Sequence, residues 1–214
     1  MSKPLVEVSG RPLIAHALDR FRASGIRKIS IIINEDSADC QRWLAAQAGD
    51  LELDLVVRTT PSSYVSFQIV ADRLAGAPAL VTTVDSIMPV DSFRRFVEAS
   101  AGFPQGGVVL GLTDHVDDEK PLWASLDSAG GRVRKLGASD SGLVTAGVYV
   151  LPARRPAGPA AGFARLRDYL GWLVESGYPV YGIVIEHVFD IDRAHGIAEA
   201  ERAEWASKTR SDSR

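Results

Sequence analysis

Apolar and polar positions recur along this chain with two periods, and their order is the first guide to its architecture. Leu13, Ile14, Ala17, Leu18 and Phe21 repeat at helical spacing. Pro12 suits the first turn of that helix and Gly25 ends it. Lys28-Ile29-Ser30-Ile31-Ile32-Ile33-Asn34 is a nearly continuous apolar run, which predicts a strand buried on both faces. Asp36 or Ser37 caps a second helix running to about Ala48. Leu51 to Arg58 alternates as a strand, Thr59 to Ser63 is a polar loop, and Phe67, Ile69, Val70 and Leu74 predict a third helix. Ala79 to Asp85 then reads as a buried strand that ends abruptly in a carboxylate. Helices and strands alternate as in a parallel sheet with right-handed crossovers, except that the series opens on a helix.

Beyond Asp85 the pattern changes. Asp91 caps a helix through Val97, and Gly106-Gly107 opens a strand from Val108 to Leu112. Asp114 to Lys120 is a charged, solvated loop. Leu122 to Asp127 and Arg132 to Leu136 flank Ala129-Gly130-Gly131 and predict a β-hairpin. Leu143 to Leu151 is a strand, Arg154 to Gly162 a surface loop, Phe163 to Ser176 an amphipathic helix, and Pro179 to Ile185 a strand. Phe189-Asp190-Ile191-Asp192 precedes a last helix from about Ala194 to Trp205.

Composition narrows the class. With 214 residues, 46% hydrophobic and 24% charged, the chain suits one domain over 1–206 with a polar tail at 207–214. A net charge of −3 supplies no basic field for nucleic acid. Cys40 is the only cysteine, so no disulfide forms within the chain and a cytoplasmic setting is the default. No apolar run is long enough to span a bilayer, and no signal-peptide pattern opens the sequence. Oligomeric state is not legible at this level.

Ligands of open α/β folds bind outside the carboxyl ends of the strands. Asp85 is therefore a candidate for a metal or phosphate site, or else a cap of the turn before Met88-Pro89. The four histidines, at 16, 115, 187 and 195, have no partners at ligand spacing, which argues against zinc. No Ser-His-Asp order or nucleophile motif stands out.

Four stretches resemble the sugar-1-phosphate nucleotidyltransferases of the GT-A-like NTP-transferase fold. Lys3-Pro4-Leu5-Val6-Glu7-Val8-Ser9-Gly10-Arg11-Pro12-Leu13-Ile14 is similar to that family's K-P-L-x-x-V-x-G-x-P-L-I segment. Leu80 to Asp85 resembles its strand ending in a metal-binding Asp, with Val84 where the family usually has Gly. Thr145-Ala146-Gly147-Val148-Tyr149-Val150 resembles its N-A-G-I-Y strand, with Thr for Asn. Phe189-Asp190-Ile191-Asp192, followed by Ala198-Glu199-Ala200-Glu201, resembles its W-x-D-V-x-T-P-x-D-L-x-x-A-E ending.

The resemblance implies an α/β, three-layer sandwich with a mixed, mostly parallel central sheet. It implies transfer of a nucleoside monophosphate from an NTP to a sugar-1-phosphate or similar phosphate, with release of pyrophosphate. Mg²⁺ is the implied cofactor, held by Asp85 and Asp190, with Asp192 as a further carboxylate or a helix cap. Lys3 is the implied phosphate contact, or else a solvated N-terminal lysine. Lys135, within Arg134-Lys135-Leu136, stands near the family's E-K-P segment, which contacts the sugar phosphate; a literal Glu119-Lys120-Pro121 precedes the hairpin instead. Gly147 lets the backbone approach the sugar, or marks a bulge. Thr60, Ser62, Ser63 and Ser66 stand where the family contacts the base, or cap the third helix. Asp85 and Asp190 should then face one cleft at the C-terminal edge of the sheet, with Lys3 on its rim.

One departure separates this sequence from the family. A strand and a Gly-rich loop, roughly L-A-A-G-x-G-T-R-L, normally precede the K-P-L segment, and Ser2-Lys3 falls after that point. The loop wraps the triphosphate with backbone N–H groups, and the strand lies inside the sheet. The expectation is an N-terminally incomplete domain, and the intact K-P-L segment favours a late gene start over a fragment or a degenerate homologue. The alternatives are a sugar-nucleotide-binding or regulatory homologue without catalysis, and a GT-A glycosyltransferase using Asp190-Ile191-Asp192 as its D-x-D motif. The chain as given is expected to show weak or no activity. A chain extended upstream should release pyrophosphate from an NTP plus a sugar-1-phosphate, and equal release from both would contradict this reading of the loop.

Overall fold

A computed structural model describes residues 2–47, 49–116, 120–127, 129, 131–137, 142–159, 162–191, 197–198 and 200–202. Asp192, His195, the run Asp117-Asp118-Glu119, most of the predicted last helix and the tail lie outside the described residues.

The chain enters through a 3₁₀ turn at Lys3–Leu5 and a two-residue ribbon, β1 (Glu7–Val8) against β2 (Arg11–Pro12). Then follow α1 (Leu13–Ala23), β3 (Lys28–Ile33), α2 (Ala38–Gln47), β4 (Glu52–Val57), α3 (Ser63–Arg73) and β5 (Ala79–Thr82). The order continues with β6 (Ser86–Ile87), α4 (Val90–Ser100), β7 (Val108–Thr113), β8 (Trp123–Leu126), β9 (Val133–Leu136) and β10 (Leu143–Leu151). It closes with α5 (Leu166–Glu175), β11 (Val180–Val184) and β12 (Phe189–Asp190). No helix among the described residues is long and apolar enough to cross a membrane.

The main sheet has six strands in the order β11-β7-β10-β8-β9, with β5 also paired to β10. β5, β7 and β8 are each antiparallel to β10, and β11 is parallel to β7. Four strands therefore run one way, while β10 and β9 run the other. This is the expected mixed sheet.

Its two faces follow from the period-2 alternation of β7, all of whose residues are buried. Val109 faces the layer formed by α1, α2 and α4, where Leu18, Phe21, Leu44, Phe93 and Phe96 pack. Val108, Leu110 and Leu112 face α3 and α5, where Phe67, Tyr169, Leu170 and Leu173 pack. These are the three layers of the sandwich. The two ends of the described chain meet as well, since the Ser9 amide donates to Glu201 Oε1 at 2.9 Å and Ala200 packs with Val8 and Leu13.

Two expectations need correcting. The apolar run at Lys28–Ile33 was expected to be buried on both faces, yet only Ile29 and Ile33 are buried. β3 pairs in parallel with β4 as a separate two-stranded sheet, and among the described residues neither its other edge nor that of β5 carries a partner strand. A strand with one neighbour cannot have its flanks shielded as a central strand has. Asp91 does not cap α4; Pro89 stands at the N-cap, and Asp91 lies in the first turn and pairs with Arg94 at 3.0 Å.

Gly111 shows how closely the α1/α2/α4 face is packed. A Cβ there would lie 2.5 Å from Val148 Cγ1 and 2.8 Å from Ile185 Cδ1. Both neighbours sit in close-packed core, so relief requires the strands to move apart. Gly111→Ala is expected to destabilise by about 1–3 kcal/mol, measured by urea unfolding. No loss of stability would mean that this face is looser than described.

Candidate active site

The site begins with an irregularity in β10. Thr145 pairs with Leu112 and Tyr149 with Leu110, so four steps along β10 match two along β7. The surplus forms a bulge at Ala146-Gly147-Val148, and Gly147 takes φ +67, which side chains disfavour. A Cβ at Gly147 would collide with Ser86 Oγ and lie 2.7 Å from Thr83 Oγ1. The bulge reading of Gly147 therefore holds, and its missing side chain is what admits the Thr83–Ser86 turn.

That turn presents Asp85. β5 leaves β10 after the pair Thr82–Val148, and the Thr83 amide then donates to the Gly147 carbonyl at 3.0 Å. Asp85 is thus a turn residue rather than the last residue of a strand. Thr83 Oγ1 and Ser86 Oγ share a hydrogen bond of 3.1 Å across the turn. From the other side, the Ile191 amide donates to the Asp85 carbonyl at 3.1 Å, and Asp190 pairs with Ser86 in the β6–β12 ribbon. From α1, Arg20 Nη2 donates to the Ser86 carbonyl at 2.9 Å. Arg20 is 1% exposed, and burial lowers its pKa to about 10 against the opposing pull of Asp19.

Asp85 and Asp190, more than a hundred residues apart in sequence, line one cavity of about 630 Å³. Thr83, Ser86, Thr113, Thr145, Gly147 and Tyr149 share its lining. Lys3 Nζ pairs with Asp85 Oδ2 at 2.6 Å, although Lys3 itself lines a second cavity rather than this one. Burial pushes the Asp85 carboxyl up. Hydrogen bonds from Lys3 and Thr83, together with the Lys3 charge, outweigh burial and hold it below the ordinary carboxylate range. Burial also pushes Tyr149 up to about 12, so its hydroxyl stays neutral and able to donate.

Other expected residues fall elsewhere. Lys135 is exposed on β9, paired with Ser125, and is not in the cavity lining. The basic residue there is Lys120, from the literal Glu119-Lys120-Pro121, which the loop before β8 carries in. Ser63 and Ser66 do not line it either. Ser63 Oγ accepts from the Leu166 amide at 3.2 Å, and Ser66 Oγ shares a hydrogen bond of 2.5 Å with Thr60 Oγ1. Ser62 caps α3 by accepting from the Val65 amide. Capping and local bonding account for Ser62, Ser66 and Thr60, and a long-range bond to the start of α5 accounts for Ser63. His16 bonds to the Val8 carbonyl at 2.9 Å, a packing role.

Arg167 and His115 also line the cavity, and sequence reasoning missed both. Arg167 Nη1 donates to the Lys120 carbonyl at 2.7 Å, tying α5 to the loop that brings Lys120 in. His115 stacks edge-on against Phe189 with centroids 5.1 Å apart. No local motif marks either residue; only the arrangement of α5 and the loop after β7 brings them here.

The donor chemistry suits a hard cation. Two carboxylates face one space beside hydroxyl oxygens, and Mg²⁺ typically takes one or two carboxylates and leaves its other positions to water and phosphate. Among the described residues no cluster of three or more His, Cys, Asp or Glu offers a full protein cage.

No protein-family model matches the chain. Its fold is similar to the crystal structure of a Bacillus anthracis protein, described as a glucose-1-phosphate thymidylyltransferase, in complex with sucrose. The TM-score is 0.80 at 18% sequence identity, and the alignment covers 94% of this chain and 85% of that one. The chain thus has a nucleotidyltransferase-like fold.

Replacing the bulge glycine tests this construction. Gly147→Ala forces a side chain against Ser86 and a left-handed backbone at once. It should cost about 1–3 kcal/mol and shift the amide signals of Thr83 to Ser86 in NMR spectra. Unperturbed signals there would show that the turn does not rest on the bulge.

Proposed function

We propose that this chain transfers a nucleoside monophosphate from an NTP to a sugar-1-phosphate or a similar phosphate acceptor, releasing pyrophosphate. The observation that carries this reading is the convergence of Asp85, Asp190 and Lys3 beside Lys120 and Arg167. Carboxylates and cations together suit a reaction in which two polyanions must approach each other. The shared fold supports it as well.

In the proposed reaction an oxygen of the acceptor phosphate bonds to the α-phosphorus of the NTP. The bond from that phosphorus to the oxygen bridging to the β-phosphate breaks, and pyrophosphate leaves with the electron pair. Asp85 and Asp190 would hold Mg²⁺, which when bound neutralises charge on the phosphoryl oxygens. Lys120 and Arg167 would offset the charge of the acceptor phosphate and orient it. The neutral Tyr149 hydroxyl would donate to a substrate oxygen, and the Gly147 backbone would let the acceptor approach closely. The displacement is direct and needs no protein nucleophile.

Asp85→Asn tests the metal role in a chain extended upstream and active. Asn is nearly isosteric and keeps the turn, but it removes the charge that holds Mg²⁺. Turnover measured as pyrophosphate release should fall by about 100-fold or more, with unfolding still cooperative. Unchanged turnover at limiting Mg²⁺ would return Asp85 to a capping role.

A further inference from the structure

Lys3 pairs with a residue of one cavity and itself lines another. Its ammonium holds Asp85, which lines the first. With Ser2 and Pro4 it also lines a second, of about 550 Å³, completed by Ile32, Ile33, Asn34, Asp36, Ser37 and Asp39. The Lys3 backbone is held independently of its side chain. The Ser2 amide donates to Asp39 Oδ2 at 3.0 Å, the Leu5 amide to the Ser2 carbonyl at 2.9 Å, and the Val6 amide to the Lys3 carbonyl at 3.1 Å. The side chain is thus a four-carbon arm on a fixed base, 44% exposed.

We propose that Lys3 is a latch which a divalent cation displaces from Asp85. The proposal rests on the reading of Asp85 as a cation ligand. An ammonium 2.6 Å from Asp85 Oδ2 occupies the space and the charge that a cation there would need. The two cannot share the carboxylate closely, because both are positive. Once displaced, the ammonium turns toward solvent, where the side chain is already 44% exposed.

Lysine footprinting on the full chain reads the latch directly. The 2.6 Å contact with Asp85 engages Nζ, so Lys3 should react slowly with an acylating reagent in the absence of cation. Saturating Mg²⁺ should raise the Lys3 rate several-fold and leave the exposed Lys28 unchanged. Asp85→Asn should make Lys3 reactive without Mg²⁺ and remove the response to it. Lys3→Met should bind Mn²⁺ about tenfold more tightly by electron paramagnetic resonance, while Lys3→Arg should not. Cation binding with the Lys3 rate unchanged or lowered overturns the proposal, and so does the absence of any cation binding at millimolar concentration. If Mg²⁺ releases Lys3 but no pair of NTP and sugar-1-phosphate yields pyrophosphate even with a chain extended upstream, the latch stands and the proposed reaction fails. If pyrophosphate is released while Lys3 stays protected by Asp85, the reaction stands and the latch fails.

Discussion

The bulge in β10 is the constraint from which the site descends. β10 pairs with β5, β7 and β8, so its course sets the register of the main sheet. The two surplus positions around Gly147 end its pairing with β5 at Thr82 and turn Thr83 to Ser86 over the sheet edge. Had β10 run straight, Thr83 and Val84 would have continued the ladder and Asp85 would lie in a strand. A side chain at 147 would have the same effect by a different route, because it would occupy the space of Ser86 Oγ. A defect in regular pairing thus becomes the means of presenting a carboxylate.

Charge around that turn is balanced unevenly. Lys3 meets Asp85 near the surface, and a half-exposed pair of this kind contributes at most about 1 kcal/mol. Its effect is electrostatic, because against burial it helps, with the Thr83 hydrogen bond, to hold the Asp85 carboxyl below the ordinary range. Arg20 is the reverse case. Its guanidinium is buried over the Phe93 ring at 5.7 Å and gives one hydrogen bond to Ser86, while Nε and Nη1 have no hydrogen-bond partner among the described residues. Such burial is costly. What Arg20 provides in return is a fixed carbonyl at Ser86, held from α1, on the turn that carries Asp85.

Likeness of fold and likeness of site part company in the loop before β8. The family resemblance points to Lys135, beyond the first strand of the hairpin, yet the cavity takes its lysine from residue 120 and its arginine from α5. Lys135 sits on the outward strand of a hairpin whose partner strand faces the core through Ala124. At 18% identity the fold is shared over 94% of this chain, and the cavity's lysine and arginine come from the loop before β8 and from α5.

Local periodicity determined which segments became helices and strands, because it records the face each segment must bury. Leu143–Leu151 is a strand to the residue, α1 occupies its apolar period, and the hairpin forms around its glycines. The local pattern also singled out Asp85, a carboxylate after an apolar run, while Asp190 and Lys3 were singled out by the resemblance to the nucleotidyltransferases. What periodicity could not determine is which strands become neighbours. The run at Lys28–Ile33 carries the pattern of a central strand, but its burial depends on a neighbour that its own residues do not specify. Lys120, Arg167 and His115 are ordinary residues of loops and a helix terminus; only the packing of α5 against the loop before β8 makes them part of one cavity. Ser63 and Ser66 were legible as base contacts or, more readily, as caps of α3; in the structure Ser62 is the cap, and the Ser63 and Ser66 hydroxyls are engaged with Leu166 and Thr60.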